Sequence, residues 1–432
     1  MSRDEIAPKD GLTPPKSGGV YGWVVVAMLC VVYSFNYLDR QFLSVLAEPV
    51  KHALHLSDTQ LGLLTGLMFA LFYSAFGIPV ATLADRGHRT QIIAGACALW
   101  SLFTACCGLA GNFTTLALSR IGVGVGEAGG SPPAYSIISD YFAPASRGRA
   151  LAIYSLGVPI GSMFGAASGG WIAAHFGWRA AFLALGAVGL VLAPMVLVVV
   201  REPRRGRLDG ADPALARPRF IAAIGAFLGR PKLLFTALAA GLTAFVGYAA
   251  QVWAPAFLMR EKGMSLEQVA LWYSLTIGIS GIAGTWLSGF LVDRLGARRP
   301  SAYALAPGVA ILICLPFFLA YLFAPSWPSS LAFVAVTSIL AIMYLPAALA
   351  VIQNAVPATQ RATSGAFLLF VLNLIGLGGG PLYVGLLSDR FHARLGVHAL
   401  QAALVWLGPM FVLAFLCQLA AAYFMEREAR AR

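Results

Sequence analysis

The chain has 432 residues, 59% of them hydrophobic and only 11% charged, with a mean hydropathy of +0.77. Soluble domains carry about 25% charged residues, so this chain cannot cover a water-facing surface and reads as a polytopic membrane protein. The net charge of +12 must first be placed relative to a bilayer, and it is poor evidence for nucleic acid. Cys30, Cys97, Cys106, Cys107, Cys314 and Cys417 lie inside apolar runs without metal-ligand spacing. They are expected as small core residues, and no metal and no cofactor is expected.

In chain order, residues 1–20 are polar and hold Pro8, Pro14, Pro15, Gly18 and Gly19, the pattern of a disordered tail. The apolar run from Tyr21 is too long to be the core of a cleavable signal. A bilayer core needs about 20 apolar residues per helix, which predicts twelve spans. The first six fall at 21–49, 58–84, 91–110, 113–140, 148–174 and 180–200. The second six fall at 232–258, 266–292, 301–323, 329–355, 362–388 and 398–425. Residues 201–231 are polar and rich in Arg and Pro. They read as a linker between an N-terminal bundle (21–200) and a C-terminal bundle with a short tail (232–432).

An even span count puts both termini on one side. With the N-terminus inside, 22 of the 30 Lys and Arg fall on the inner segments and six on the outer ones. The positive-inside rule therefore predicts cytoplasmic termini, in a bacterial inner membrane, with anionic lipid as a neighbour. Arg40 and Arg120 are the two that remain within spans.

The halves repeat. Asp85 and Arg86 close the second span and Asp293 and Arg294 the eighth, 208 residues apart. Pro144, Ala145 and Arg147 precede the fifth span as Pro357, Ala358 and Arg361 precede the eleventh, at offsets of 213 and 214. A duplicated six-helix unit is a hallmark of secondary transporters, with the substrate site near the midplane between repeats.

The stretch with Gly289, Asp293, Arg294, Gly296, Arg298 and Arg299 resembles the signature loop of the major facilitator superfamily, and Asp85, Arg86 and Arg89 form its first-half copy. The resemblance implies an all-α fold of twelve transmembrane helices in two pseudo-symmetric six-helix bundles, with a monomer as the expected state. A narrower match lies in Phe35 to Arg40 and in Arg120, Gly122, Gly124, Gly126, Glu127 and Ala128. These look like Spinster transporters, whose animal members carry sphingosine-1-phosphate and lysophospholipids. The organic-anion:cation symporters of the superfamily share the Asp-Arg and Arg…Glu arrangement.

Asp39, Arg40, Arg120 and Glu127 are the ionisable residues well inside predicted spans. Each costs about 2.5–3.5 kcal/mol at a helix centre unless it meets a partner or water. Counted from the outer ends, Asp39 is 10 residues down its helix and Arg120 about 7, roughly 15 and 10 Å at about 1.5 Å per residue, so the two are expected to meet. Glu127 lies two turns deeper on the same face as Arg120. It reads either as a second proton site or as the counter-ion of Arg120. Pro132 and Pro133 are expected to bend the fourth helix, and the glycines before them to serve close packing rather than a dinucleotide loop.

The superfamily resemblance lines a central cavity with the first, fourth, seventh and tenth helices. Asp39 is then the expected proton-responsive switch, whose protonation frees Arg40 or Arg120 for an anionic headgroup, and Glu127 is the second proton-coupling candidate. The alternative is a permanent ion-pair network that locks the first helix to the fourth. Arg40 and Arg120 are the expected headgroup contacts, and Asn36 is a further substrate-binding candidate. Tyr248, Gln251, Trp253, Tyr344, Gln353, Asn354 and Asn373 form the substrate wall of the second half. The resemblance also implies a cytoplasmic gate of Asp85, Arg86, Arg89, Asp140, Asp293, Arg294 and Arg298. Asp85 would face the start of the eleventh helix, Asp293 that of the fifth, and Arg86 or Arg89 would reach Asp140.

The expected function is proton-coupled alternating access for an amphipathic anion, with an organic-anion (sugar acid or carboxylate):proton symporter as the alternative and a non-transporting receptor or channel as the alternative of another class. An enzyme is not expected, since the histidines sit at loops or helix ends without a metal spacing. ATP-driven transport is disfavoured because no phosphate-binding loop appears.

Overall fold

The structure, a computed structural model, describes residues 19–205, 225, 227–296, 299, 301–356 and 360–430. The tail, most of the linker, Arg298, Pro357 and Ala358 lie outside the described residues, as do the side chains of Asp85 and Asp293.

All regular structure among the described residues is helical. Nine stretches of them are long and apolar enough to cross a membrane. Two of the nine contain a chain reversal, at Gly177 (φ 83°) and Gly396 (φ 53°), a backbone region that glycine enters without steric cost. A further rod, 113–141, is broken at residues 128–130 and carries Arg120 and Glu127.

Divided at these points, the chain forms rods α1 (Gly19–Val45), α2 (58–86), α3 (Arg89–Gly108), α4 (113–141), α5 (144–176) and α6 (178–199). The second half repeats them as α7 (Pro231–Arg260), α8 (266–296), α9 (Ala302–Phe323), α10 (327–355), α11 (361–395) and α12 (399–430). A short helix, Ala47–Leu54, links α1 to α2. Pro132 and Pro133 open the second segment of α4, where a missing amide costs nothing, so the break sits where the prolines predict it.

Both ends of the described chain lie on one face, hereafter the near face. Tyr21 Oη donates to Val199 O at 2.8 Å, Lys232 pairs with Glu428, and Ser301 Oγ donates to Glu426 Oε1 at 2.9 Å. The opposite, far face shows a repeat that the sequence reading missed. Ser57 with Gln60 and Ser265 with Gln268 form matching capping boxes at the starts of α2 and α8. Each is followed by a π turn, at Leu63–Leu67 and Val269–Tyr273. The two serines are 208 residues apart, the same offset as the Asp-Arg pairs at the other end of the rods.

Rods embedded in lipid gain little by hiding apolar surface, so small residues that let backbones touch decide the packing. Gly157, Gly161, Gly165 and Gly169 form one stripe along α5 and face Cys30, Ser34, Leu38 and Phe42 along α1. A Cβ on Gly165 would stand 2.6 Å from Leu38 O, and one on Gly161 would strike Ser34 O. Gly126 of α4 meets the Trp100 backbone of α3 in the same way, at 2.6 Å. These seams fix the height and rotation of α1 and α4, the two rods that carry the buried charges. In the second half, Phe227, Leu233, Ile352, Leu368 and Met425 form a separate apolar cluster.

Candidate transport site

Asp39 and Arg120 are buried, at 0% and 2% exposure, and meet with Arg120 Nη1 3.0 Å from Asp39 Oδ1. Thr104 of α3 donates its hydroxyl to Asp39 Oδ2. Glu127 is paired with Arg40, not with Arg120, through Nε–Oε2 at 2.8 Å. The two ion pairs therefore tie neighbouring residues of α1 to positions two turns apart on α4. All four expected charges converge, and each is compensated by another of the four.

The pairs differ in access. The Arg40 side chain is 14% exposed, whereas Asp39 and Arg120 are closed off. The Arg40 guanidinium stands over the rings of Tyr37, Phe69 and Tyr73 at 5.0, 4.9 and 4.8 Å. Phe69 also faces Arg120 at 5.3 Å, so one ring separates the two cations. Such contacts hold a desolvated guanidinium by up to about 2 kcal/mol each. Among the described residues, Glu127 Oε1 and Arg120 Nε have no hydrogen-bond partner.

The second-half candidates divide. Tyr248 of α7 is half-buried, within electrostatic reach of Arg40, Tyr37, Tyr73 and Tyr344. Gln251 Nε2 donates to Gln41 Oε1 at 3.1 Å and so bridges α7 to α1. Trp253 is buried in a helix seam, its Nε1 donating to Pro381 O of α11 at 3.0 Å. Gln353 and Asn354 are exposed on the last turn of α10, and Asn373 is half-buried in the π segment of α11. Asn36 lines a small cavity of about 10 Å³ inside the first half, with Tyr33, Trp100, Ser131 and Tyr154. That space suits one water, and the buried Trp100 Nε1 has no partner among the described residues.

Sequence reasoning missed Thr104, Gln41, Phe69 and the tyrosines around Arg40. Tyr37 lies inside the quoted Phe35–Arg40 stretch and could have been chosen on that ground. Thr104 and Tyr73 carry no local signal.

On the near face, Arg89 is buried and holds Asp140 at 2.5 Å, Ser136 at 2.7 Å and Glu202 at 2.6 Å. The expected contact with Asp140 is thus formed, and it clasps α3 to α4 and to the chain after α6. Burial pushes the Glu202 carboxyl up, but the Thr90 amide and Arg89 more than offset this and hold it below its ordinary range. Arg86 is exposed, and Arg294 is exposed beside the Phe290 ring at 5.8 Å.

A family model, the Major Facilitator Superfamily, matches residues 29–374. A curated "MFS-type efflux pump" of Mycolicibacterium smegmatis is 37% identical over 89% of each chain. Human "Protein spinster homolog 1" is 29% identical over 88% of this chain and 74% of its own. The crystal structure of a bacterial homolog to the human lysosomal transporter Spinster, in an inward-facing and unoccupied conformation, superposes with a TM-score of 0.86. That chain is 32% identical, over 95% of this chain and 98% of its own. These relatives are transporters and efflux pumps rather than enzymes. A match over most of the length, joined to a duplicated helical architecture with charges buried between α1 and α4, places the chain in the Major Facilitator Superfamily as an integral membrane transporter homologous to the Spinster proteins.

Proposed function

We propose that the protein is a proton-coupled secondary transporter, working by alternating access, that moves an amphipathic anion such as a lysophospholipid or a sphingoid phosphate. The observation that carries this reading is the Arg40–Glu127 pair: a partly exposed guanidinium on aromatic rings, neutralised by a carboxylate whose second oxygen has no partner among the described residues. A proton on Glu127 cancels its charge and releases Arg40 to bind an anionic headgroup. Loss of that proton restores the pair and expels the headgroup. Asp39 and Arg120 form a deeper pair of the same kind, which opens once Arg40 has moved. Tyr248, Tyr344, Gln251 and Asn373 offer the apolar-aromatic wall for the tail, and Gln353 and Asn354 stand at the near-face mouth. Trp253 and Asn36 serve packing and the small internal cavity.

In this reading the near face is cytoplasmic, in a bacterial inner membrane, and the transporter acts as a monomer. The near-face gate closes when Asp85 caps the start of α11 and Asp293 the start of α5, where helix dipoles favour a carboxylate.

The test is uptake of labelled lysophosphatidate by proteoliposomes. One coupled proton lets a gradient of one pH unit drive about tenfold accumulation. The wild type is expected to show that accumulation, and Glu127→Gln to lose it while keeping substrate counterflow. Unaltered gradient-driven uptake by Glu127→Gln would remove Glu127 from the coupling. Uptake of glucuronate in place of lysophosphatidate would move the substrate to the sugar acids, and absence of counterflow for both would leave a receptor or channel.

A further inference from the structure

The far face carries an ionic cluster that the proposed coupling does not use. Arg260, at the end of α7, donates through Nε and Nη2 to Glu48 Oε1 at 2.7 and 2.5 Å. Its Nη1 and Nη2 reach Asp58 Oδ2 and Oδ1 at 2.7 and 2.8 Å. Lys51 Nζ adds a contact to Asp58 at 2.5 Å, and Ser388 Oγ donates to the same carboxylate at 2.6 Å. The Asp389 carboxylate then accepts the backbone amides of Asp58 and Thr59, at 3.0 and 2.8 Å. Those are the first amides of α2, which the rod itself cannot satisfy.

Every one of these acids has a partner from the opposite half. Glu48, Lys51 and Asp58 belong to the first half, and Arg260, Ser388 and Asp389 to the second. Below the cluster α2 and α11 touch backbone to backbone. A Cβ on Gly62 would sit 2.6 Å from Pro381 O, and one on Gly66 2.9 Å from Leu377 O. One on Gly385 would meet Asp58 O. The far side is therefore shut along this seam. At the pseudo-symmetric seam of α5 and α8 the matching contact is a loose one, His175 to Glu267 at 4.0 Å between exposed side chains.

Asp389 also has a place in the repeat. Gly385, Asp389 and Arg390 keep the spacing of Gly289, Asp293 and Arg294, but at the far end of α11 instead of the near end of α8. The rods α2 and α11 run in opposite directions, so each ends in an Asp-Arg pair near the level where the other begins.

We infer that Asp389, Asp58 and Arg260 form a far-face latch, a third and relocated copy of the gate motif, that holds the two halves in the near-open state. The latch is the counterpart of the near-face gate. Asp389 caps α2 when the far side is shut, and it must leave those amides before α2 and α11 can part. The inference takes the rocking of two halves from the proposed function, but it needs neither the proton step nor the substrate.

The test is the distance between spin labels on the full chain in lipid nanodiscs, measured by pulsed electron resonance. The labels go on Leu109→Cys and Val397→Cys, in a chain whose six native cysteines are replaced by alanine. Both sites are exposed, at 71% and 69%, near the far ends of α3 and α11. Hydrogen bonds to a charged group are stronger than neutral ones, so Asp389→Asn and Arg260→Gln are each expected to raise the far-open population about tenfold over the labelled parent. Glu426→Gln, which removes a carboxylate charge as Asp389→Asn does but on the near face, is expected to leave it unchanged. Ser388→Ala removes one hydrogen bond from Asp58 and should move the ratio the same way by less, which covers a failure of either larger change to fold. Two populations whose ratio none of these far-face variants alters would overturn the latch alone. A single distance shared by parent and all variants would overturn both the latch and the rocking.

Discussion

Arg120→Leu is expected to cost the largest share of stability of any side-chain change near the site. Removing one member of a buried ion pair strands the other, at about 3–5 kcal/mol. Here the stranded group is Asp39, wholly buried, with the Thr104 hydroxyl as its remaining hydrogen bond. Thermal unfolding of the purified protein in detergent should show a clear drop. Adding Asp39→Asn to Arg120→Leu should recover most of it, because the double variant leaves no lone charge. Recovery of the fold without recovery of gradient-driven uptake is the expected pairing of results. A double variant no more stable than Arg120→Leu would mean that the two residues do not act as a pair.

The second large effect lies in packing. Gly161→Val places a branched side chain against Ser34 O, a backbone atom on a rod that cannot yield locally. Overpacking in a filled interior costs about 1–3 kcal/mol, occasionally more, and the three atoms nearest a Cβ on Gly161 all belong to the Ser34 backbone. The variant should give little monodisperse protein on size exclusion. Gly148→Val, on the same rod but with open space around its Cβ, should behave as the wild type. The reason reaches the site, since α5 sets where α1 presents Asp39 and Arg40. Equal yields of the two variants would count against the seam as the element that positions α1.

The fold was legible because lipid permits so few solutions. Long apolar runs must be helices, and the Asp-Arg repeat at a 208-residue offset announces a duplication. The four buried charges were legible for the same reason, since an ion in an apolar run is conspicuous. Their depths put Asp39 beside Arg120, as found. The partner of Glu127 was not legible. Depth along a helix follows from counting residues, but rotation does not, and rotation gives Glu127 to Arg40. Trp253 shows the same gap: it lies on the expected rod, yet its ring turns into the seam with α11. Gly157, Gly161, Gly165 and Gly169 were visible as a four-residue spacing and could have been read as a helix contact. The far-face cluster could not, because Glu48, Lys51 and Asp58 sit where loops normally carry charge.

Alternating use of one arginine by a carboxylate and by an anion is the claim on which the functional reading depends. The most direct measurement is the proton balance of binding, by titration calorimetry of the purified protein at pH 7 in buffers of different ionisation enthalpy, with lysophosphatidate as ligand. An anion that takes Arg40 from Glu127 leaves that carboxylate without its counter-charge, which favours its protonation. Binding should therefore take up about one proton in the wild type and none in Glu127→Gln. Binding with no proton exchange in the wild type, or with the same uptake in Glu127→Gln, would contradict the account.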